Sequence, residues 1–122
     1  MVAKVFLNGN LKTLKSACTN NATTYSKAVN TTWTNVLYHN NKTINCILSF
    51  RLNTIVANTE YGIYDIPSGY QPSIEISKIY LTHMGTKIQV TFRPTNVIVI
   101  KPFSNITSNS EIMHINELWI QE

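Results

Sequence analysis

The sequence predicts an all-β fold, an antiparallel β-sandwich or barrel of about eight short strands. Apolar and polar residues alternate in residues 43–53 and again in residues 87–93, which is the pattern of a strand with one buried face. The other apolar runs are short and rich in β-branched and aromatic residues, and turn residues separate them at intervals of about 8–12 residues. A chain of 122 residues is the length of one domain.

The N-terminal segment allows two interpretations. The Asn-Gly step in "FLNGNL" (residues 6–11) favours a β-hairpin. The spacing of Leu11, Leu14 and Cys18 instead fits a short helical stretch that Asn10 would cap.

The next segment is polar and weakly patterned. Residues 16–32 are expected to form a long loop or an edge strand that Tyr25 and Val29 anchor. A strand centred on Trp33 is predicted at residues 32–38, because this run is rich in β-branched and aromatic residues.

The clearest strand is residues 43–53. One of its faces is apolar and consists of Ile44, Cys46, Leu48, Phe50 and Leu52. Further strands are predicted at residues 60–66, 74–82 and 87–93. The glycine in "HMGTK" indicates a hairpin between the last two of them.

The C-terminal third continues the pattern. Residues 97–101 are apolar on both faces, so we expect a central strand or one that is covered on both sides. A turn at residues 93–96 precedes this strand, and residues 103–110 have the composition of a loop. Two short strands, residues 111–115 and 118–120, are predicted to close the chain.

Charge and composition disfavour several classes of function. The net charge is +4, but the lysines are scattered and only two arginines occur, so nucleic-acid binding is not expected. No apolar run is long enough for a transmembrane helix, and the first residues lack the apolar core of a signal peptide. Polarity comes mainly from Asn, Thr and Ser, which suits contact with sugars, although an AT-rich genome would produce the same bias.

The residue types needed for catalysis do not form a recognisable constellation. The three histidines are isolated, so no metal site is expected, and the four glycines never form a phosphate-binding loop. Cys18 and Cys46 form no C-x-x-C pair and are either free thiols or a disulfide. We therefore predict a non-enzymatic protein without a cofactor.

A binding module is the remaining class. Sugar binders stack aromatic rings on apolar sugar faces and use amides, carboxylates or imidazoles for hydroxyl groups, and function concentrates on loops that a rigid scaffold holds. The predicted ligand contacts are Trp33, His39, Asn40, Tyr64, Asp65 and His83. Three further tyrosines, Tyr38, Tyr70 and Tyr80, also have side chains suitable for stacking on a sugar.

The turn at residues 66–73 has a more specific sequence pattern than the other turns. "IPSGYQPS" combines Pro67, Gly69, Tyr70 and Pro72 between two β-rich runs. Together with "TTWTNVLYHNNKTI" before it, and "NVIVIKP" and "SNSEIMHINELWI" after it, this turn resembles the C-terminal receptor-binding head of tailed-phage baseplate and tail-fibre proteins. The resemblance covers about two-thirds to three-quarters of the chain. Gln71 stands where the family's Pro-x-Gly-Tyr-Arg-Pro turn has Arg.

The resemblance implies a compact, jelly-roll-like β-sandwich head of the virion's tail tip or baseplate, assembled in the host cytoplasm as a homotrimer. Such heads bind host cell-wall polysaccharide or teichoic acid, contact other tail or baseplate proteins, and perform no covalent chemistry. Residues 32–122 would form the head and residues 1–31 a neck or edge segment; alternatively, residues 1–122 form one continuous domain.

Three other interpretations remain open. The chain would otherwise be a monomeric carbohydrate-binding module or lectin, a structural virion protein without a ligand, or an enzyme that cleaves polysaccharide through Asp65 with Glu60 or Glu75. Because Tyr70 is held between Gly69 and the nearby Pro72, it is expected to anchor the turn to the sandwich and not to stack on a ligand.

Overall fold

The computed structural model describes residues 5–7, 10–12 and 14–121, and it consists of antiparallel sheets that form a β-sandwich. In these ranges lie one short helix, α1 (Tyr25–Ala28), and eleven strands: β1 (Val5–Leu7), β2 (Asn10–Lys12), β3 (Leu14–Ser16), β4 (Thr19–Asn20), β5 (Val29–Asn40), β6 (Thr43–Leu52), β7 (Tyr61–Asp65), β8 (Ile76–Leu81), β9 (Lys87–Phe92), β10 (Val97–Pro102) and β11 (Ile112–Ile120). The expectation of an all-β fold is confirmed.

Two layers make up the body of the sandwich. One is a four-stranded sheet with the order β11-β6-β5-β3, and the other is a five-stranded sheet with the order β4-β7-β10-β9-β8. The chain passes from one layer to the other between β3 and β4, and each of these two strands lies at an edge of its sheet. The opposite edges are β11 and β8.

The predicted alternation holds in the strands that form the core. Every second side chain of β6 is fully buried: Ile44, Cys46, Leu48, Phe50 and Leu52. In the facing layer β9 buries Ile88, Val90 and Phe92 in the same way, and the predicted hairpin joins β9 to β8. The apolar segment at residues 97–101 is β10, the third of five strands, so its expected central position is confirmed.

The C-terminal strand differs from the prediction. In place of two short strands there is one of nine residues, β11, which pairs with β6 over its whole length. The sequence hides this continuity because the polar Glu117 occupies an inward position. Glu117 is buried, and it contacts Lys78 at 3.0 Å and accepts a hydrogen bond from the Tyr80 hydroxyl at 2.9 Å. Burial, and then this hydrogen bond, raise the pKa of Tyr80.

The N-terminal segment is also clarified. β1 and β2 form an antiparallel pair, so the hairpin interpretation is right and the helical one is wrong; Asn8 and Gly9 of its turn lie outside the described residues. Residues 16–32, predicted as a long loop or an edge strand, contain the edge strand β4 and the helix α1, and Val29 is buried as expected. Sequence patterning missed α1 because it has only four residues.

Residues 14–31 belong to the sandwich through backbone pairing and burial. β3 pairs with β5, β4 pairs with β7, and Cys18 and Ala28 are buried in the core. The side chains of residues 1–13, the rest of the predicted neck or edge segment, lie outside the described residues. The helix found in the described ranges is too short to cross a membrane.

Candidate functional site

An exposed tryptophan and a partly buried arginine lie together on the outward face of the four-stranded sheet. Trp33 sits where the β5–β6 register shifts, and its side chain is 52% exposed. The guanidinium carbon of Arg51 lies 5.2 Å from the centre of the Trp33 ring. This distance is that of a cation–π contact, which holds both flat groups on the surface of a rigid sheet.

Arg51 has unused hydrogen-bonding capacity. Among the described residues its side chain has no carboxylate partner, and its buried Nε atom has no hydrogen-bond acceptor. A guanidinium group presents five N–H donors, so the remaining ones can serve a ligand that carries hydroxyl, phosphate or carboxylate oxygens. Arg93, by contrast, is engaged by Glu60 and Glu75.

Polar side chains continue from this pair toward the edge of the sheet. On β11, His114 is exposed, and its Nδ1 lies 2.9 Å from the hydroxyl oxygen of Ser49 on β6. Ser49 is two residues from Arg51 and faces the same side of the sheet. We call Trp33, Ser49, Arg51 and His114 the Trp33 platform.

His83 lies at the same end of the sandwich. Its backbone N–H donates to the Ile112 carbonyl at 3.0 Å, and its Nδ1 accepts from the Ile112 N–H at 3.0 Å. Acceptance at Nδ1 places the imidazole proton on Nε2, where it is available as a donor. Because Ile112 pairs with Arg51, His83 follows two strand spacings away from Arg51, about 10 Å.

Two of the six predicted contact residues, Trp33 and His83, therefore lie at the same end of the sandwich, three strand spacings or about 14 Å apart, and sequence reasoning missed Arg51 and His114 on the two strands between them. The signal for Arg51 was available, because it lies on the polar face of the predicted strand at residues 43–53. What was lacking was the pairing of that strand with the one that carries Trp33.

His39 and Asn40 lie at the other end of β5, about 20 Å along the strand from Trp33. Asn40 is exposed, whereas His39 is buried; its Nε2 bonds to the Asn41 carbonyl, and its ring meets the Tyr70 ring edge-on at 5.1 Å. His39 therefore supports the neighbouring turn more than it presents itself to a ligand.

The structure places Tyr64 out of reach of a ligand. Its side chain is fully buried, its hydroxyl is 2.6 Å from that of Thr32, and burial raises its pKa. The neighbouring Asp65 is partly buried and accepts a hydrogen bond from the Asn21 amide at 3.0 Å, which ties the N-terminal segment to β7. Tyr64 is therefore wrong as a surface contact.

The turn at residues 66–73 is fastened to the end of β11 by its backbone carbonyls. The Trp119 indole N–H donates to the Tyr70 carbonyl at 2.9 Å, and the Gln121 amide donates to the carbonyls of Gly69 and Gln71, both at 2.8 Å. Gly69 has φ +96°, a conformation that favours glycine.

Beside this turn is a cleft of about 340 Å³, lined by His39, Asn41, Lys42, Gly69, Gln71, Pro72, Ser73 and Gln121. Most of its amide groups already bond to the turn or to its neighbours. The amide groups of Gln71 and Gln121 in this cleft are therefore already engaged and less available to a ligand, although the cleft also carries the cationic Lys42.

The described ranges also show where possible metal ligands and the carboxylates considered for catalysis lie. No set of three His, Cys, Asp or Glu side chains is placed to hold a metal ion there. Glu60 and Glu75, the carboxylates considered as partners of Asp65, both contact Arg93. Comparison with models of known protein families and with curated sequences finds no match for this chain.

Proposed function

We propose that this protein is the receptor-binding head of a tailed-phage tail tip or baseplate and recognises a saccharide of the host cell surface, without covalent chemistry. The observation that carries the proposal is the pairing of exposed Trp33 with Arg51, whose side chain has no hydrogen-bond acceptor among the described residues. The resemblance of the "IPSGYQPS" turn and its flanking strands to phage heads supplies the viral context.

The chemistry of the Trp33 platform fits cell-wall polysaccharide or teichoic acid. An indole face packs against the apolar C–H face of a sugar ring, and this contact needs no charge on the ligand. Arg51 beside it can bind hydroxyl or phosphate oxygens, and His83 can donate to a further hydroxyl about 10 Å away. The ligand would then lie across the strands, from β5 to the edge at β11.

A rigid sheet suits such a site. The platform side chains stand on long paired strands, so little order has to be gained on binding. A shallow site has low affinity by itself, and several copies on one particle multiply the strength of attachment.

Assembly as a homotrimer belongs to the same proposal. Its support is a groove of about 330 Å³ where the edges of the two sheets meet, with Ile74, Leu118 and Ile120 exposed. Exposed apolar clusters of this kind mark contact surfaces. In light scattering we expect the unaltered protein to be a trimer and the double variant Leu118→Lys, Ile120→Lys to be a monomer. A monomeric unaltered protein would favour the lectin alternative.

The central test is adhesion to host cells. Fluorescently labelled protein is measured on a panel of Gram-positive bacteria and on a glycan array, as Trp33→Ala and as Arg51→Gln. We expect each variant to reduce adhesion about tenfold or more, a loss of about 1.4 kcal/mol, with an unchanged melting temperature.

Phe103→Ala is the matched control for Trp33→Ala. Phe103 is 50% exposed and directly follows β10 of the five-stranded layer, so the substitution removes a similar exposed ring away from the platform. Equal losses in both variants would contradict the proposed site.

The same experiment separates the other classes of function. Absence of adhesion to every cell and every glycan would favour a structural virion protein. Release of soluble saccharide from cell walls, lost in Asp65→Asn or Glu75→Gln, would show an enzyme and overturn the proposal.

A further inference from the structure

Two buried cysteines from distant parts of the chain belong to the same hydrophobic core cluster. Cys18 follows β3, where the chain passes to the other sheet, and Cys46 is an inward residue of β6. Both side chains are buried free thiols that belong to one core cluster. Interaction with Cys18, and then burial, raise the pKa of the Cys46 thiol, as expected of neighbouring thiols.

The position of Cys18 is set by the side chain of Asn35. The Cys18 N–H donates to the Asn35 side-chain oxygen at 2.8 Å, and the Asn35 amide donates to the Cys18 carbonyl at 2.7 Å. Asn35 pairs with Leu48, and Cys46 lies two residues before Leu48 on the same inner face of β6. These two hydrogen bonds therefore hold the crossover between β3 and β4 against the part of the sheet that carries Cys46.

We propose that Cys18 and Cys46 form an intramolecular disulfide when the folded protein meets a low-molecular-weight disulfide such as oxidised glutathione. The bond would fasten the crossover between the two sheets to the middle of the four-stranded sheet. This inference does not depend on what the Trp33 platform binds.

The reaction is two successive thiol–disulfide exchanges. The Cys18 thiolate attacks one sulfur of oxidised glutathione, which breaks its S–S bond, forms a mixed disulfide and releases one glutathione thiolate. The Cys46 thiol gives its proton to a released thiolate, attacks the Cys18 sulfur and expels the second glutathione. The two protein thiols lose two electrons in total, and one glutathione disulfide becomes two glutathione thiols.

The environments of the two thiols set this order. Cys18 is slightly exposed, at 5%, whereas Cys46 is fully buried. A soluble disulfide therefore reaches Cys18 first, and Cys46 resolves the mixed disulfide. The bond closes a loop over the 27 residues between the two cysteines, and this restricts the unfolded chain.

The full-length reduced protein is incubated in its native state with oxidised glutathione at about pH 8. The expected product, in denaturing mass spectrometry, is a single polypeptide without intermolecular disulfides, lighter by about 2 Da and with the tryptic peptides of Cys18 and Cys46 linked. Its melting temperature should rise by about 5–10 °C, and a reductant should reverse the rise.

Cys46→Ala and Cys18→Ala are the matched variants. Cys46→Ala should stop at a glutathione adduct on Cys18, and Cys18→Ala should form no adduct in the same time. Persistence of both thiols in the unaltered protein, adducts without a linked peptide pair, or disulfide-linked dimers would each overturn the proposal. The mass and peptide map of the unaltered protein decide the matter even if a variant fails to fold.

Discussion

The two tryptophans of this protein lie on one sheet and have opposite environments. Trp119 faces the core, is 4% exposed, packs against Phe92 of the other sheet at 5.4 Å and donates its indole N–H to the Tyr70 carbonyl. Trp33 faces outward, is 52% exposed, and Arg51 is its recorded side-chain partner in the described structure.

This difference separates stability from recognition. Trp119 contacts both layers and the turn at residues 66–73, so its loss should lower the free energy of unfolding. Trp33 leaves half of its surface in water while β5 and β6 keep their pairing beneath it. Similar side chains therefore have different expected roles, and substitutions can test this contrast.

Trp119→Ala should have the largest effect on stability. Removing a buried indole leaves a cavity between the layers and costs about 3–5 kcal/mol, which denaturant unfolding measures. Trp119→Phe keeps a ring against Phe92 and loses the hydrogen bond to Tyr70, so its cost should be lower, about 1–2 kcal/mol. A cost of Trp119→Ala below that of Trp119→Phe would contradict this role.

Tyr70→Ala should have an intermediate effect. It removes a partly buried ring that packs on the core and meets His39 edge-on, at a cost of about 2 kcal/mol. The melting temperature should fall while adhesion to cells at a temperature well below it is retained. Unchanged stability together with lost adhesion would mean that Tyr70 contacts the ligand and does not anchor the turn.

Gln121→Ala should have a smaller effect, about 1 kcal/mol, because two hydrogen bonds to the turn are lost at a partly exposed position. The comparison is Gln89→Ala, which removes an amide on β9 that has no recorded hydrogen bond in the described structure and should change stability by less than about 0.5 kcal/mol. Equal effects of the two substitutions would show that the Gln121 bonds do not hold the turn.

Trp33→Ala should have the smallest effect on stability in this series. We expect a change in the free energy of unfolding within about 0.5 kcal/mol, since the side chain is half exposed. A loss comparable to that of Tyr70→Ala would make Trp33 a structural residue and would weaken the proposed site.

Much of the sandwich could be predicted from sequence because strand patterning is local. The alternation in β6 alone identified five fully buried residues, Ile44, Cys46, Leu48, Phe50 and Leu52. Prediction failed at β11, where buried Glu117 is compensated by Lys78 and Tyr80 from a distant strand. A local sequence pattern cannot predict a partner that comes from a strand far away in the chain.

The candidate site was predictable only in part. The sequence indicated Trp33 and His83 as suitable residue types, but it also indicated Tyr64, which the core encloses. Inclusion of Arg51 needed the register of β5 against β6, and the position of His83 needed its bonds to Ile112.

By itself, the sequence determined the all-β class, the inward residues of the central strands and the hairpin at residues 83–87, because alternation and turn chemistry act over a few neighbouring residues. Only the tertiary structure decided that Trp119 is buried while Trp33 is exposed beside Arg51, and that Cys18 and Cys46 belong to one core cluster. These outcomes depend on the pairing of strands far apart in the chain and on the packing of two sheets, which no local pattern specifies.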